Sequence, residues 1–287
     1  MKNTLIVDGE TFLRLPVIDT SLAVGICDIT ADTFEQVKSK LIGLYGDVDC
    51  TADGKQTTTA KLGCAKDVSV PAQRDFDKQR YNAVDAMRVI TRLTRDGDGC
   101  PWDRAQTHES IRINMIEEAY EAVDAIDKHD TEGMREEFGD VLLQSLLQSD
   151  IARRAGEFDF NDVCDGLCKK LISRHTFIFG DESASDADEA HKLWDKAKAT
   201  EKHYDSVKTI LDKLPDNFPS LLLAQKTYKK LKKAGYKSDP QEALDRAIAT
   251  KDYAAAIDAC AALLADNGAD AEVELNKLVK TKISEIK

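Results

Sequence analysis

Two acidic motifs carry the chemistry that this sequence offers. EEAYE (117–121) sets Glu118 and Glu121 three residues apart, and EEFGD (136–140) does the same for Glu137 and Asp140. On a helix, side chains three apart share a face, about 5–6 Å from each other at Cβ. Ile111, Met115, Ala119, Ala122 and Ile126 recur at helical spacing and predict a helix over Glu109–Lys128, with Glu118 at the margin of its apolar stripe. Met134, Phe138, Val141, Leu142 and Ser145 predict a second helix over Thr131–Arg154, with Glu137 beside Val141. A short connection at His129–Asp130 makes the two helices antiparallel neighbours, so the four carboxylates face a common space. Four negative charges cannot sit together half-buried without compensation. A bound cation supplies it, and an all-oxygen set without His or Cys suits Mg²⁺ or Mn²⁺. Acidic residues also populate ordinary solvated helix faces. Glu117 and Glu136 stand between the two readings, either as outer groups beside the cation or as surface charges.

Basic and aromatic residues follow at a related spacing. Lys170 and Arg174 lie four apart, hence on one helical face, and could clamp phosphate oxygens, Arg in bidentate fashion and Lys as a point charge. Trp194 and Lys198 repeat that spacing with a ring for base stacking and a cation for a phosphate. The plainer readings are a basic residue complementing a helix C-terminus and a Trp buried in a core. In GDGCPWDRAQTH (97–108), Cys100-Pro101 sets an extended entry. Trp102 either plugs the end of a helical bundle, the first reading, or covers a base. Thr107 is a candidate N-cap for the helix that carries the first acidic pair.

The elements that must position these groups fall into two styles. Up to residue 80, TLIVDG, AVGICDI, VDCTADG and QTTTAKLG read as short strands, and Thr33–Tyr45 as a helix between them. Pro71 and the polar run QRDFDKQR (73–80) form a boundary. Beyond it the periodicity is helical: Ala83–Arg95, the two acidic helices, Phe158–His175, Ala187–Glu201, Ser220–Ala234, Pro240–Thr250, Asp252–Ala265 and Ala271–Ile286. The expected fold is mainly all-α, a cation-binding helical bundle preceded by a small α/β segment.

Composition narrows the partners. The 287 residues include 40 Lys plus Arg and 52 Asp plus Glu, a net charge of −12, which argues against a partner that is a nucleic acid polymer. No run approaches the ~20 apolar residues of a membrane span, and the N-terminal stretch has Asp8, Glu10 and Arg14 where a signal peptide needs an apolar core. Seven scattered cysteines without a CxxC pair read as reduced thiols of a cytoplasmic protein.

The acidic motifs also carry a resemblance. EEAYE followed by EEFGD matches the EExxE…ExxD pattern of the MazG-type nucleoside triphosphate pyrophosphohydrolases. GCPWDRAQTHESI (99–111), KKLISRHTFIFGD (169–181) and LWDKAKATEK (193–202) resemble further blocks of that family, so the resemblance runs over residues 83–202. It implies an all-α, Mg²⁺-dependent homodimer that cleaves nucleoside triphosphates to monophosphate and pyrophosphate, clearing surplus or off-normal nucleotides. It places the metal ligands on Glu118, Glu121, Glu137 and Asp140, and the phosphate and nucleotide contacts on Lys170, Arg174, Trp194 and Lys198. Glu117 or Glu136 would then accept the proton of the attacking water. Two other functions stay open: a regulator that binds Mg²⁺-nucleotide without hydrolysis, and a pyrophosphohydrolase for a special nucleotide such as phosphoribosyl-ATP.

The same resemblance divides the chain at 81–205 and 214–287. PSLLLAQKTYKKLKKAGY (219–236) is similar to the start of the second unit of two-domain MazG proteins, but its acidic pattern has decayed. Setting Glu242 and Asp245 against Glu118 and Glu121 puts Ala255 where Glu137 belongs. Counting back from Gly268 puts Asp252 and Ala255 on the second pair. Either register leaves an alanine at a ligand position, and a non-catalytic second repeat is expected. Residues 25–78 look like the last strands and helix of a tetrapyrrole methylase domain. Eighty residues without a glycine-rich cofactor loop are too few for methyl transfer, so residues 1–80 are expected to be a remnant or a mount.

Overall fold

The computed structural model describes residues 4–74, 76–201 and 206–286. Asp75 of the boundary run, Lys202 of the 193–202 motif and residues 203–205 of the 81–205 segment lie outside the described residues. By its internal contacts the chain divides into two compact units, Met1–Lys169 and Lys170–Lys287.

The first unit opens with a five-stranded sheet. Its elements are β1 (Thr4–Asp8), α1 (Gly9–Arg14), β2 (Ala23–Cys27), α2 (Ala31–Tyr45), β3 (Asp49–Ala52), β4 (Lys55–Thr58) and β5 (Val68–Val70). The strand order is β1-β2-β5-β3-β4. β1 and β2 run parallel in register from Thr4↔Ala23 to Asp8↔Cys27, while the other pairings are antiparallel. Asp53 and Gly54, both with positive φ, close the β3–β4 hairpin, the backbone a two-residue turn of this kind requires. Alternation places Val24 and Ile26 of β2 and Val68 and Val70 of β5 in the core, against Phe34, Val37, Leu41 and Tyr45 of α2. α1 is too short to satisfy its own terminal carbonyls. Lys40 of α2 reaches across and donates to the carbonyls of Phe12, Leu13 and Leu15.

Helices then take over, as the periodicity predicts, and among the described residues no strand follows β5. They are α3 (Ala83–Leu93), α4 (Pro101–Ala105), α5 (Asn114–Asp127), α6 (Thr131–Ala155) and α7 (Phe160–Arg174), and the division between the units falls inside α7. Asn82 caps α3 and shares a capping box with Asp85. The α/β segment is bolted to α3 by polar contacts. Lys78 donates to Asp85 at 2.6 Å and to Thr20 at 3.0 Å, Arg88 grips Asp19 with two bonds of 2.7 and 2.6 Å, and Asn82 donates to the Ile18 carbonyl. α3 in turn packs on α6 through Ile90, which joins Ile111, Leu146, Leu147 and Ile151 in a second core. The buried Asp150 of α6 is paired by Arg153 and Arg154, and Arg154 also donates to the Arg104 carbonyl at the end of α4. The second unit holds α8 (Thr176–Phe179), α9 (Ala187–Glu201), α10 (Val207–Leu211), α11 (Ser220–Lys233), α12 (Pro240–Thr250), α13 (Tyr253–Asp266) and α14 (Ala271–Ser284). Its α11 packs on α13 and α14, and the buried Gln225 of α11 donates to the Ala269 carbonyl at 2.7 Å. No helix among the described residues is long and apolar enough to cross a membrane.

Candidate metal centre

The hairpin of α5 and α6 is built at its turn. Asp130 caps α6 by accepting from the Gly133 backbone, and its own N–H bonds back to the Ala125 carbonyl. A Cβ added at Gly133 would lie 3.4 Å from that of Ala125, which sets the two helices close and fixes their register. Four residues back along α5 from Ala125 is Glu121, and four forward along α6 from Gly133 is Glu137. Three further steps in each direction reach Glu118 and Asp140. The antiparallel geometry thus brings the two acidic motifs to one level.

Glu118, Glu137 and Asp140 each offer a carboxylate oxygen within 4.8 Å of the other two, and all three side chains are half-buried. Among the described residues no Lys or Arg pairs with any of them. One Glu137 oxygen, Oε2, is buried with no hydrogen-bond partner. Burial raises the Glu137 carboxyl above the usual glutamate range, and the charges of Glu121, Asp140, Glu136 and Glu118 push in the same direction. Glu118 is raised likewise, by burial first and then by Asp140, Glu121 and Glu117. Glu121 is exposed and stands outside the tight trio, although its charge is felt by both partners. Glu117 and Glu136 are exposed and act on the cluster through charge alone. Three carboxylates with oxygens within 4.8 Å of one another, one of them carrying an orphaned buried oxygen, fit a hard divalent cation whose other ligands are waters or a fourth carboxylate.

Several expectations need correction. The first acidic helix begins at Asn114 and not at Glu109, because Thr107 and Ser110 bond each other's backbone N–H in a closed turn. Thr107 therefore caps that turn and not the helix. The buried face of α5 is Ala122 and Ala125, while Met115, Ala119 and Ile126 are exposed. On α6 the buried residues, among them Gln144, Leu146 and Leu147, lie in the C-terminal half, and Phe138 and Leu142 are exposed. Trp102 is 59% exposed on α4, so it plugs nothing. α4 is tied to Arg154, fourteen residues or about 21 Å along α6 from Asp140, so Trp102 is not brought to the acidic trio of its own chain.

The basic and aromatic residues form a group of their own in the second unit. The buried Arg174 donates to both carboxylate oxygens of Glu201, at 2.8 and 3.1 Å. Its guanidinium lies 5.3 Å from the centroid of Trp194, and the Lys198 ammonium lies 4.8 Å from the same ring. Arg174, Trp194 and Lys198 are thus brought together, and Lys170 is exposed on α7. Glu201 was not foreseen. Its place in the sequence, 27 residues after Arg174, gives no local signal.

Comparison with known proteins bears on these residues. The family described as MazG nucleotide pyrophosphohydrolase domain matches residues 106–179, a span that holds both acidic motifs, Lys170 and Arg174. A nucleoside triphosphate pyrophosphohydrolase of Escherichia coli is 36% identical over 156 residues, 54% of this chain and 59% of that protein. One of Thermotoga maritima is 45% identical over 113 residues, 39% of this chain and 43% of that protein. The uncharacterized protein YabN of Bacillus subtilis is 41% identical over 153 residues, 53% of this chain and 31% of that protein. The chain belongs to the MazG family. It spans 31% to 59% of the length of these three relatives. Trp102, Trp194 and Lys198 fall outside the matched MazG span.

Proposed function

We propose that this MazG-family chain hydrolyses nucleoside triphosphates to nucleoside monophosphate and pyrophosphate with Mg²⁺, or Mn²⁺ in its place. The observation that carries this reading is the trio Glu118, Glu137 and Asp140, with an orphaned buried oxygen on Glu137. Those three residues, with Glu121 as the fourth, would hold the metal. When bound, it supplies charge neutralisation on phosphate oxygens and a more acidic water. Glu117 or Glu136, each next in sequence to a ligand, would take the proton released by that water. Lys170, Arg174 and Lys198 would hold the pyrophosphate and Trp194 the base. For Arg174 this means exchanging the Glu201 carboxylate for phosphate oxygens, two acceptors of the same fork geometry. The nucleotide-pool housekeeping role follows from that activity.

The 214–287 segment is proposed to be a non-catalytic relative of the acidic hairpin. The α12–α13 turn has the same construction as the α5–α6 turn. Lys251 and His129 share a left-handed φ, Asp252 and Asp130 each cap the next helix, and each Asp N–H bonds a carbonyl five residues back. Aligned on that turn, the four ligand positions fall on Pro240, Ala243, Ala259 and Ala262. The two registers proposed from sequence both differ from this one. Counting from Gly268 fails because α13 is shorter than α6.

The test is pyrophosphate release from a panel of ribo- and deoxyribonucleoside triphosphates with Mg²⁺. Release from at least one, unchanged within about twofold by Glu242→Ala, is the expected result. Binding of every triphosphate without any pyrophosphate would instead make the chain a regulator.

A homodimer is proposed on the exposed apolar side chains of the hairpin. Tyr120, Val123, Phe138 and Leu142 face water in a lone copy, a surface that a second copy would bury. Light scattering should give twice the chain mass, and Leu142→Glu should halve it. A monomeric wild type rejects the dimer.

A further inference from the structure

Arg88 and Arg92 of α3 and Arg95, just past its C-terminus, line a groove of about 440 Å³, together with Val84, Met87 and Phe76. Arg88 is held by Asp19. Arg92 and Arg95 converge on one acceptor. Arg95 donates to Asp98 through Nε at 2.7 Å and through a second, shorter bond. Arg92 approaches the same carboxylate at 3.3 Å and donates to the Asp98 carbonyl at 2.9 Å. Two guanidiniums against one carboxylate leave a positive charge unmatched in this set. Asp98 itself is exposed, on the loop between Gly97 and Gly99. Phe76 is 49% exposed and holds a φ of 65°, a left-handed backbone that is costly for a bulky residue and that concentrates at binding sites.

A groove lined by an exposed ring, apolar side chains and an arginine fork suits a ligand with a planar ring and an oxyanion. Phosphate matches the fork as a carboxylate does and carries more charge. We propose that this groove binds a nucleoside monophosphate, its ring against Phe76 and Met87 and its phosphate on Arg92 and Arg95 in place of the Asp98 carboxylate. The site lies along α3 and the residues flanking it, is built from none of the acidic trio of α5 and α6, and requires neither the metal nor hydrolysis. Asp98 is then an internal competitor that sets the affinity.

The experiment is titration calorimetry of the full chain with AMP in EDTA, so that the acidic trio holds no metal. Saturable one-to-one binding is expected. Arg92→Gln with Arg95→Gln should weaken it by about tenfold or more, the scale of a lost charge-assisted fork. Asp98→Asn should tighten it severalfold, an outcome that damage to the fold does not produce. Phe76→Ala should weaken AMP while leaving ribose 5-phosphate unchanged. Glu137→Gln should bind AMP as the wild type does. Absence of saturable binding overturns the proposal. So does loss of binding in Glu137→Gln, indifference to the arginine substitutions, or weaker binding in Asp98→Asn.

Discussion

Glu137→Ala is expected to lower pyrophosphate release by about a thousandfold or more, because it removes a central member of the only three-carboxylate group found among the described residues. The fold should survive. Glu137 makes no hydrogen bond through its buried Oε2, and its charge is opposed by Glu121, Asp140, Glu136 and Glu118. Removing it relieves repulsion, so the metal-free variant should unfold at the same or a higher denaturant concentration than the metal-free wild type. The pH dependence has a definite sign. Glu118 and Glu137 hold their protons to higher pH in the folded chain than in the unfolded one. The folded state therefore binds more protons, and this contribution to stability falls as pH rises from about 4.3 through the raised values. Metal-free wild type should lose stability across that window, and Glu137→Ala should lose less. Saturating Mg²⁺ should flatten the wild-type curve, since a ligand that binds only the folded state stabilises it. A variant that keeps a tenth of wild-type turnover would show that the trio is not the reactive centre.

The acidic centre was legible because its logic is local. A one-turn spacing within each helix and a short connection between them, three residues long in the structure, suffice to bring Glu118, Glu137 and Asp140 together. What periodicity misjudged was which apolar residues are buried. Met115, Phe138 and Leu142 fit a helical stripe as well as core residues do, yet they stand exposed. A hydrophobic stripe records that a face is covered by something and does not distinguish the chain's own core from another molecule. The helix start was misplaced because Thr107 and Ser110 satisfy each other's backbone, a choice decided by two hydroxyl groups. Two further features had no sequence signal. Arg174 meets Glu201 on a different helix, and Lys78 meets Asp85 and Thr20 through tertiary packing. Short elements such as α1 and β5 also fell below what six- and three-residue runs can announce.

The Lys78–Asp85 pair is where the largest loss of stability is expected. Its side chains are 2% and 5% exposed, and it joins the α/β segment to the start of α3. Asp85→Ala leaves a buried ammonium whose remaining hydrogen bond among the described residues is to the Thr20 hydroxyl, and it also strips the Asn82 N–H of its acceptor. Breaking a buried pair from one side costs about 3–5 kcal/mol. For a unit of this size that corresponds to a fall in Tm of about 10 °C. Replacing both partners with apolar residues, Lys78→Met with Asp85→Leu, should recover most of the loss, because the cost lies in the stranded charge and not in the missing attraction. Denaturant midpoints of the single and double variants decide this. A single variant within about 1 kcal/mol of wild type would mean that water reaches Lys78 and that the α/β segment is held chiefly by Arg88 and Asp19. If the pair matters as expected, the segment contributes rigidity. It fixes α3, α3 fixes α6 through Ile90, and α6 carries Glu137 and Asp140. Asp85→Ala should then lower turnover only near its unfolding temperature, with KM unchanged well below it.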